Sequence, residues 1–173
     1  MASPKIEVLI PHDEIQARIA ALGAQITADY QGRSIVLVGV LKGSFIFLAD
    51  LVRHIDLPVR IEFIGTKSYE GTTTSGQVQL TKDLDKPIQE EDVLLVEDII
   101  DTGLTLNYLQ HVMSQRAPRS LKIASFLDKP SRRRIAVEGD YIGFTIEDKF
   151  VIGYGLDFDQ RYRNLKDLCI LVP

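Results

Sequence analysis

The feature that most constrains this chain is a repeated pattern: a short uninterrupted apolar run, a polar break, then apolar residues at helical spacing. In "SIVLVGVL", residues 34–41, the run ends at Lys42-Gly43-Ser44, after which Phe45, Leu48, Ala49 and Val52 return at helix-like intervals. "VLLV", residues 93–96, runs into Glu97-Asp98 and then Asp101-Thr102-Gly103, and Leu106, Leu109, Val112 and Met113 follow on one helical face. "SLKIASFL", residues 120–127, supplies a third run. A strand that is apolar at every position must be covered on both faces, and strands alternating with helices build a parallel sheet, so the pattern predicts an α/β domain. Ligands of such sheets bind beyond the C-terminal ends of the strands, where both polar breaks lie.

Other segments fill in the frame. "VRIEFIGTKSY" alternates and predicts a partly exposed strand. Ile15, Ile19, Leu22 and Ile26 share a helical face, predicting a helix over roughly 12–28 with Asp13 available as a cap near its start. "YEGTTTSGQ", residues 69–77, reads as a mobile loop. With 173 residues and no linker or low-complexity segment, a single domain over 1–173 is expected.

Charge and cysteine content narrow the function classes. A net charge of -4 argues against broad binding to nucleic acid or to an anionic membrane, both of which require a basic face. The single cysteine, Cys169, lies in the apolar "LCILV" and has no internal partner, which suits a reducing cytoplasm. No apolar run approaches the length of a membrane span, and the N-terminus lacks a secretory pattern, so a cytoplasmic protein is expected.

The carboxylate cluster calls for partners, because an ionised carboxylate loses hydration when it is sequestered. In one reading, Asp101 and Thr102 cap a helix while Glu97 and Asp98 face solvent. In the other, the amides and hydroxyls of Asp101-Thr102-Gly103-Leu104-Thr105 surround a phosphate at the positive end of the helix dipole. Glu97 and Asp98, one step away, would then accept hydrogen bonds from sugar hydroxyls. Together these groups describe a ribose 5-phosphate. The glycine-rich signatures of nucleoside triphosphatases and of dinucleotide-binding dehydrogenases are absent.

"VLLVEDIIDTGLTL" resembles the phosphoribosyl-diphosphate motif of type I phosphoribosyltransferases, and "LKGSFIFLADL", "KSYEG" and "DKFVIGYGLDFDQRYRNL" resemble the hypoxanthine-guanine members, in that family's order along the chain. The resemblance implies the type I fold: a largely parallel five-stranded core flanked by helices, with a small hood formed from the N-terminal and C-terminal segments. It further implies Mg2+ dependence, phosphoribosyl diphosphate and a 6-oxopurine as substrates, and a homodimer or homotetramer.

The resemblance also assigns roles. Lys42 and Gly43 match the pyrophosphate loop, where family members hold a non-proline cis peptide before the lysine, and Arg163 matches a guanidinium on pyrophosphate. Glu97, Asp98, Asp101, Thr102, Gly103, Leu104 and Thr105 bind the donor, Asp101 also taking or sharing the purine N7 proton. Ser68 and Tyr69 open a lid over the reaction centre. Lys129 donates to the purine 6-oxygen, Phe150 stacks on the ring with Lys149 beside it, and Val151 offers backbone groups to the base edge. Asp157 meets both the base region and Mg2+, whose other ligands come from Glu97 and Asp98. Leu104 stands where mammalian relatives carry a lysine, and Lys67-Ser68-Tyr69 replaces the Ser-Ser-Tyr common in bacterial members. Two competing readings are a nucleotide-sensing regulator or RNA-binding attenuator on the same fold and transfer to adenine, xanthine or a pyrimidine.

Overall fold

The computed structural model describes residues 4–71 and 74–172, with the side chains of 69–77 outside the description. Along the chain it forms β1 (Lys5–Ile10), α1 (His12–Asp29), β2 (Ile35–Leu41), α2 (Phe45–Val52), β3 (Val59–Gly71), β4 (Thr74–Lys82), β5 (Asp92–Ile100), α3 (Leu104–Ser114), β6 (Ser120–Asp128), β7 (Tyr141–Thr145), β8 (Val151–Ile152) and β9 (Leu168–Val172). The central sheet has the order β4-β3-β2-β5-β6-β7, and a separate sheet has the order β1-β9-β8. Strands β3, β2, β5, β6 and β7 are parallel, and β4 returns antiparallel along the edge.

Side-chain parity explains the layers. On β2, β5 and β6, residues Leu37, Leu94, Val96, Ala124 and Phe126 point to one face, where Ile15, Ile19, Leu22 and Ile26 of α1 and Phe47, Leu48 and Leu51 of α2 cover them. The alternate residues Val36, Val38, Val93, Leu95 and Ile123 point the other way, onto Leu106, Leu109 and Met113 of α3. Period-two strands therefore meet period-3.6 helices on both sides, as uninterrupted apolar runs require.

Three expectations change. Strand β5 does not stop at Val96 but continues through both carboxylates to Ile100, because β6 keeps pairing with it, Glu97 opposite Ser125 and Ile100 opposite Asp128. Residues 69–77 are not a loop throughout: Tyr69 pairs with Gln77 and Gly71 with Thr74 in a β3–β4 hairpin, while Thr72 and Thr73 lie outside the described residues. The turn-rich composition marked the tip, and the antiparallel ladder carries strand up to it. Finally, Asp13 does not cap α1. Its N-cap is Pro11, without a side-chain bond, and the amide of His12 donates instead to Asp167 Oδ1 at 2.7 Å, from the far end of the chain.

Topology then selects a location. From β2 the chain proceeds outward through β3 to β4, and from β5 it proceeds the opposite way through β6 to β7. The switch point lies between β2 and β5. Their ladder ends at Gly39 opposite Val96, whereas β2 stays paired with β3 to Leu41 and β5 with β6 to Ile100. The sheet consequently opens between these two strands at their C-terminal ends, the place where open α/β sheets receive ligands.

Candidate active site

The floor of the opening is acidic. Glu97 is only 6% exposed, and its Oε1 accepts the Asp98 amide at 3.0 Å. Asp98 Oδ1 accepts the Ile99 amide at 2.7 Å. Burial pushes both carboxyls up, Glu97 furthest because the charge of Asp98 adds to its desolvation, while Asp98 gains some relief from Glu97, the Ile99 amide and the charge of Arg163. Two adjacent buried carboxyls whose charged forms burial disfavours would be stabilised by hydroxyl donors or a hard cation.

On the β2 side the Leu41–Lys42 peptide bond is cis, which the sequence had left open. Gly43 follows between two close neighbours: a Cβ there would lie 1.8 Å from Asp98 Oδ2, and a Cβ on Gly155 would lie 2.4 Å from the Gly43 carbonyl oxygen. The loop can therefore pass only as bare backbone. Ser44 Oγ ties its far end to the Val40 carbonyl at 2.7 Å.

On the β5 side, Asp101 accepts the Thr102 amide, and Gly103 takes φ +84° immediately before α3. A Cβ at Gly103 would come within 2.8 Å of the Ile135 carbonyl oxygen, so both its conformation and its packing favour glycine. The turn presents Thr102, Gly103 and Thr105 at the start of α3, where amides and the helix dipole favour an anion. With Lys42, Gly43, Ser68, Glu97, Asp98 and Arg163 they line a cavity of about 460 Å³.

A second cavity, of about 470 Å³, adjoins the first and shares Asp98, Ile99, Asp101 and Asp157 with it. Lys129 lies in its wall, 9% exposed, with Nζ 3.9 Å from Asp148 Oδ1. Phe150 offers a 55% exposed ring, held edge-on by Phe158 with centroids 5.6 Å apart, and Val151 continues the wall. Between the cavities, Asp157 Oδ1 lies 3.3 Å from Arg163 Nη2, and Arg163 Nη1 donates to the Gly155 carbonyl at 2.8 Å. The chamber is thus polar on one side and aromatic on the other, with Asp101 between them.

Most residues expected from sequence line one cavity or both. Lys149 and Leu104 line neither, and the Lys149 ammonium sits 3.8 Å from Glu147 on the exposed side. The side chain of Tyr69 lies outside the described residues. Sequence reading missed Thr66 in the first cavity and Arg132, Asp148 and Leu156 in the second. Asp148 and Leu156 lie within the quoted segment that begins Asp148-Lys149-Phe150, so membership of that motif was the available signal for them.

Residues 9–159 match the family model described as phosphoribosyl transferase domain. The chain is 53% identical over 169 residues to the hypoxanthine phosphoribosyltransferase of Haemophilus influenzae, covering 95% of this chain and 94% of that protein. It is 45% identical over 168 residues to the hypoxanthine-guanine phosphoribosyltransferase of Bacillus subtilis, covering 96% and 93%. A crystal structure of a hypoxanthine-guanine phosphoribosyltransferase from Bacillus anthracis superposes with TM-score 0.94 at 44% identity, covering 98% of this chain and all of that one.

Proposed function

Because the chain belongs to the phosphoribosyl transferase family, among its hypoxanthine phosphoribosyltransferases, we propose that it transfers the 5-phosphoribosyl group of phosphoribosyl diphosphate to N9 of hypoxanthine, and also of guanine. The products are inosine or guanosine monophosphate and pyrophosphate, a step of purine salvage. One observation carries the reading: two cavities, one suited to a sugar phosphate and one to a flat base, meet at Asp101.

In this account the 5-phosphate sits on the Asp101–Thr105 turn, the ribose hydroxyls donate to Glu97 and Asp98, and the pyrophosphate lies against Lys42, Gly43 and Arg163. The base stacks on Phe150, with Lys129 donating to its 6-oxygen and Val151 at its edge. The C1–oxygen bond to pyrophosphate breaks as the C1–N9 bond forms, and the N7 proton passes to Asp101. Arg163 and the loop amides stabilise charge on the leaving group, the larger electrostatic contribution, while proton transfer supplies ~100- to 10,000-fold.

Among the described residues no set of three or more His, Cys, Asp or Glu side chains forms a metal cage. That fits Mg2+, which takes one or two protein carboxylates and completes its shell with substrate oxygens and water. Asp157 on one side of the first cavity, or the Glu97-Asp98 pair on its floor, would hold it, and when bound it would neutralise charge on the diphosphate.

The β1-β9-β8 sheet, drawn from both chain ends, serves as the hood, since Val151 of β8 reaches the base cavity. Ser68 and Tyr69 on the β3–β4 hairpin close over the reaction centre, excluding water from a cationic sugar. The family whose motif order this chain follows suggests a homodimer or homotetramer. No described helix is long and apolar enough to cross a membrane, and Cys169 is buried as a free thiol, as suits a reducing cytoplasm.

The test is to incubate the protein with phosphoribosyl diphosphate, Mg2+ and hypoxanthine. Stoichiometric inosine monophosphate and pyrophosphate are expected. Donor binding by calorimetry without any nucleotide formed would favour the regulator reading.

A further inference from the structure

Three consecutive arginines follow Lys129, and they behave differently. Arg132 and Arg134 are exposed, whereas the Arg133 side chain is 18% exposed and turns inward. Its Nε donates to the Val137 carbonyl at 2.8 Å, and Nη1 to the carbonyls of Ile100 and Asp101, each at 3.2 Å, with the Lys129 carbonyl at 3.5 Å. Nη2 donates to Asp128 Oδ1 at 2.6 Å. Backbone bonds run alongside: the Lys129 amide donates to the Ile100 carbonyl at 2.8 Å, and the Arg134 and Ile135 amides donate to the Thr102 carbonyl at 2.9 and 3.1 Å.

Arg133 lines neither site cavity. It lies behind them, where β5 and β6 leave their ladder and the carbonyls of Ile100, Asp101 and Lys129 converge. Converging carbonyl dipoles repel one another, and a planar guanidinium with five donors in fixed directions can satisfy several at once. Two of these carbonyls belong to the residues that handle the purine proton and read its 6-oxygen.

We propose that Arg133 is a positioning residue that holds the phosphate turn and Lys129 in register, fixing where the base meets the donor. The proposal rests on the transferase reading above. A lysine at this position supplies a point charge that cannot reproduce the fork. Misplacing reacting groups by about 1 Å costs up to a hundredfold in rate.

The test uses Arg133→Lys and Arg133→Gln with Mg2+, phosphoribosyl diphosphate and hypoxanthine, and kcat is normalised to the number of donor-binding sites counted by calorimetry. The unaltered protein is assayed first, and its failure to form nucleotide would refute the transferase reading whatever the variants do. Given an active parent, kcat per donor-binding site should fall roughly ten- to a hundredfold in both variants, Lys retaining more than Gln. A kcat per site within twofold of the parent would overturn the inference. So would variants with no donor-binding sites at all, since Arg133 would then be a requirement for folding instead.

Discussion

At the residue scale, Asp101 and the Glu97-Asp98 pair lie within five positions of one another, and the proposed mechanism gives them separate roles. Asp101 and Asp98 border both cavities, whereas Glu97 lines only the first, buried at the floor of the sheet opening. Asp101→Ala should lower kcat by ~100- to 10,000-fold with donor affinity nearly unchanged, as read by steady-state kinetics and calorimetry. Replacing both Glu97 and Asp98 by Ala should instead weaken donor binding, because the ribose hydroxyls lose their acceptors. Equal affinity losses in the two proteins would contradict the division. That these three carboxylates share one cavity was legible in sequence because they fall within a few positions at the end of one apolar run. Arg133 was not legible: three adjacent arginines look alike, and only the carbonyls of Ile100 and Asp101 and the carboxylate of Asp128 decide which one turns in.

At the element scale, the turn after β8 is held by a long-range anchor. Tyr154 adopts φ +49° between Gly153 and Gly155, and its hydroxyl donates to Asp50 of α2, which also accepts Gln16 Nε2 at 3.1 Å and an Arg53 guanidinium. Burial alone would raise the Asp50 carboxyl, but the hydrogen bonds from Tyr154, Gln16 and Arg53 outweigh it and hold the group below its ordinary 3.8. A depressed carboxyl stabilises the fold fully above its unfolded value, and that contribution is lost as pH falls through the folded value. Tyr154→Phe should therefore cost about 1.5–3 kcal/mol near neutral pH, with the deficit shrinking below about pH 4, as measured by urea unfolding across pH. A pH-independent deficit would contradict the linkage. Asp167→Ala should cost about 1 kcal/mol in the same measurement, because α1 loses its acceptor at His12. Neither anchor was visible in sequence: Asp50 and Tyr154 lie 104 positions apart, and Asp167 and His12 lie 155 apart. The buried strands and their helices were visible, since apolar periodicity is local. The short strands β1, β8 and β9 were not, because they gain their pairing only when the chain ends meet.

At the scale of the whole molecule, the fold makes the site by reversing direction between β2 and β5. The opening receives loops from both sides, and the β8 segment adds the aromatic wall, so the two cavities adjoin along Asp98, Ile99, Asp101 and Asp157. The central claim is that the second cavity selects a 6-oxopurine through Lys129. Adenine carries an amino group at that position, so a donor would face a donor. The most direct measurement is the ratio of kcat/KM for hypoxanthine to that for adenine, in the protein and in Lys129→Ala. The account predicts a strong preference for hypoxanthine that narrows by roughly ten- to more than a hundredfold in the variant, the cost of one charged hydrogen bond. An unchanged ratio would show that Lys129 does not read the base and would contradict the account.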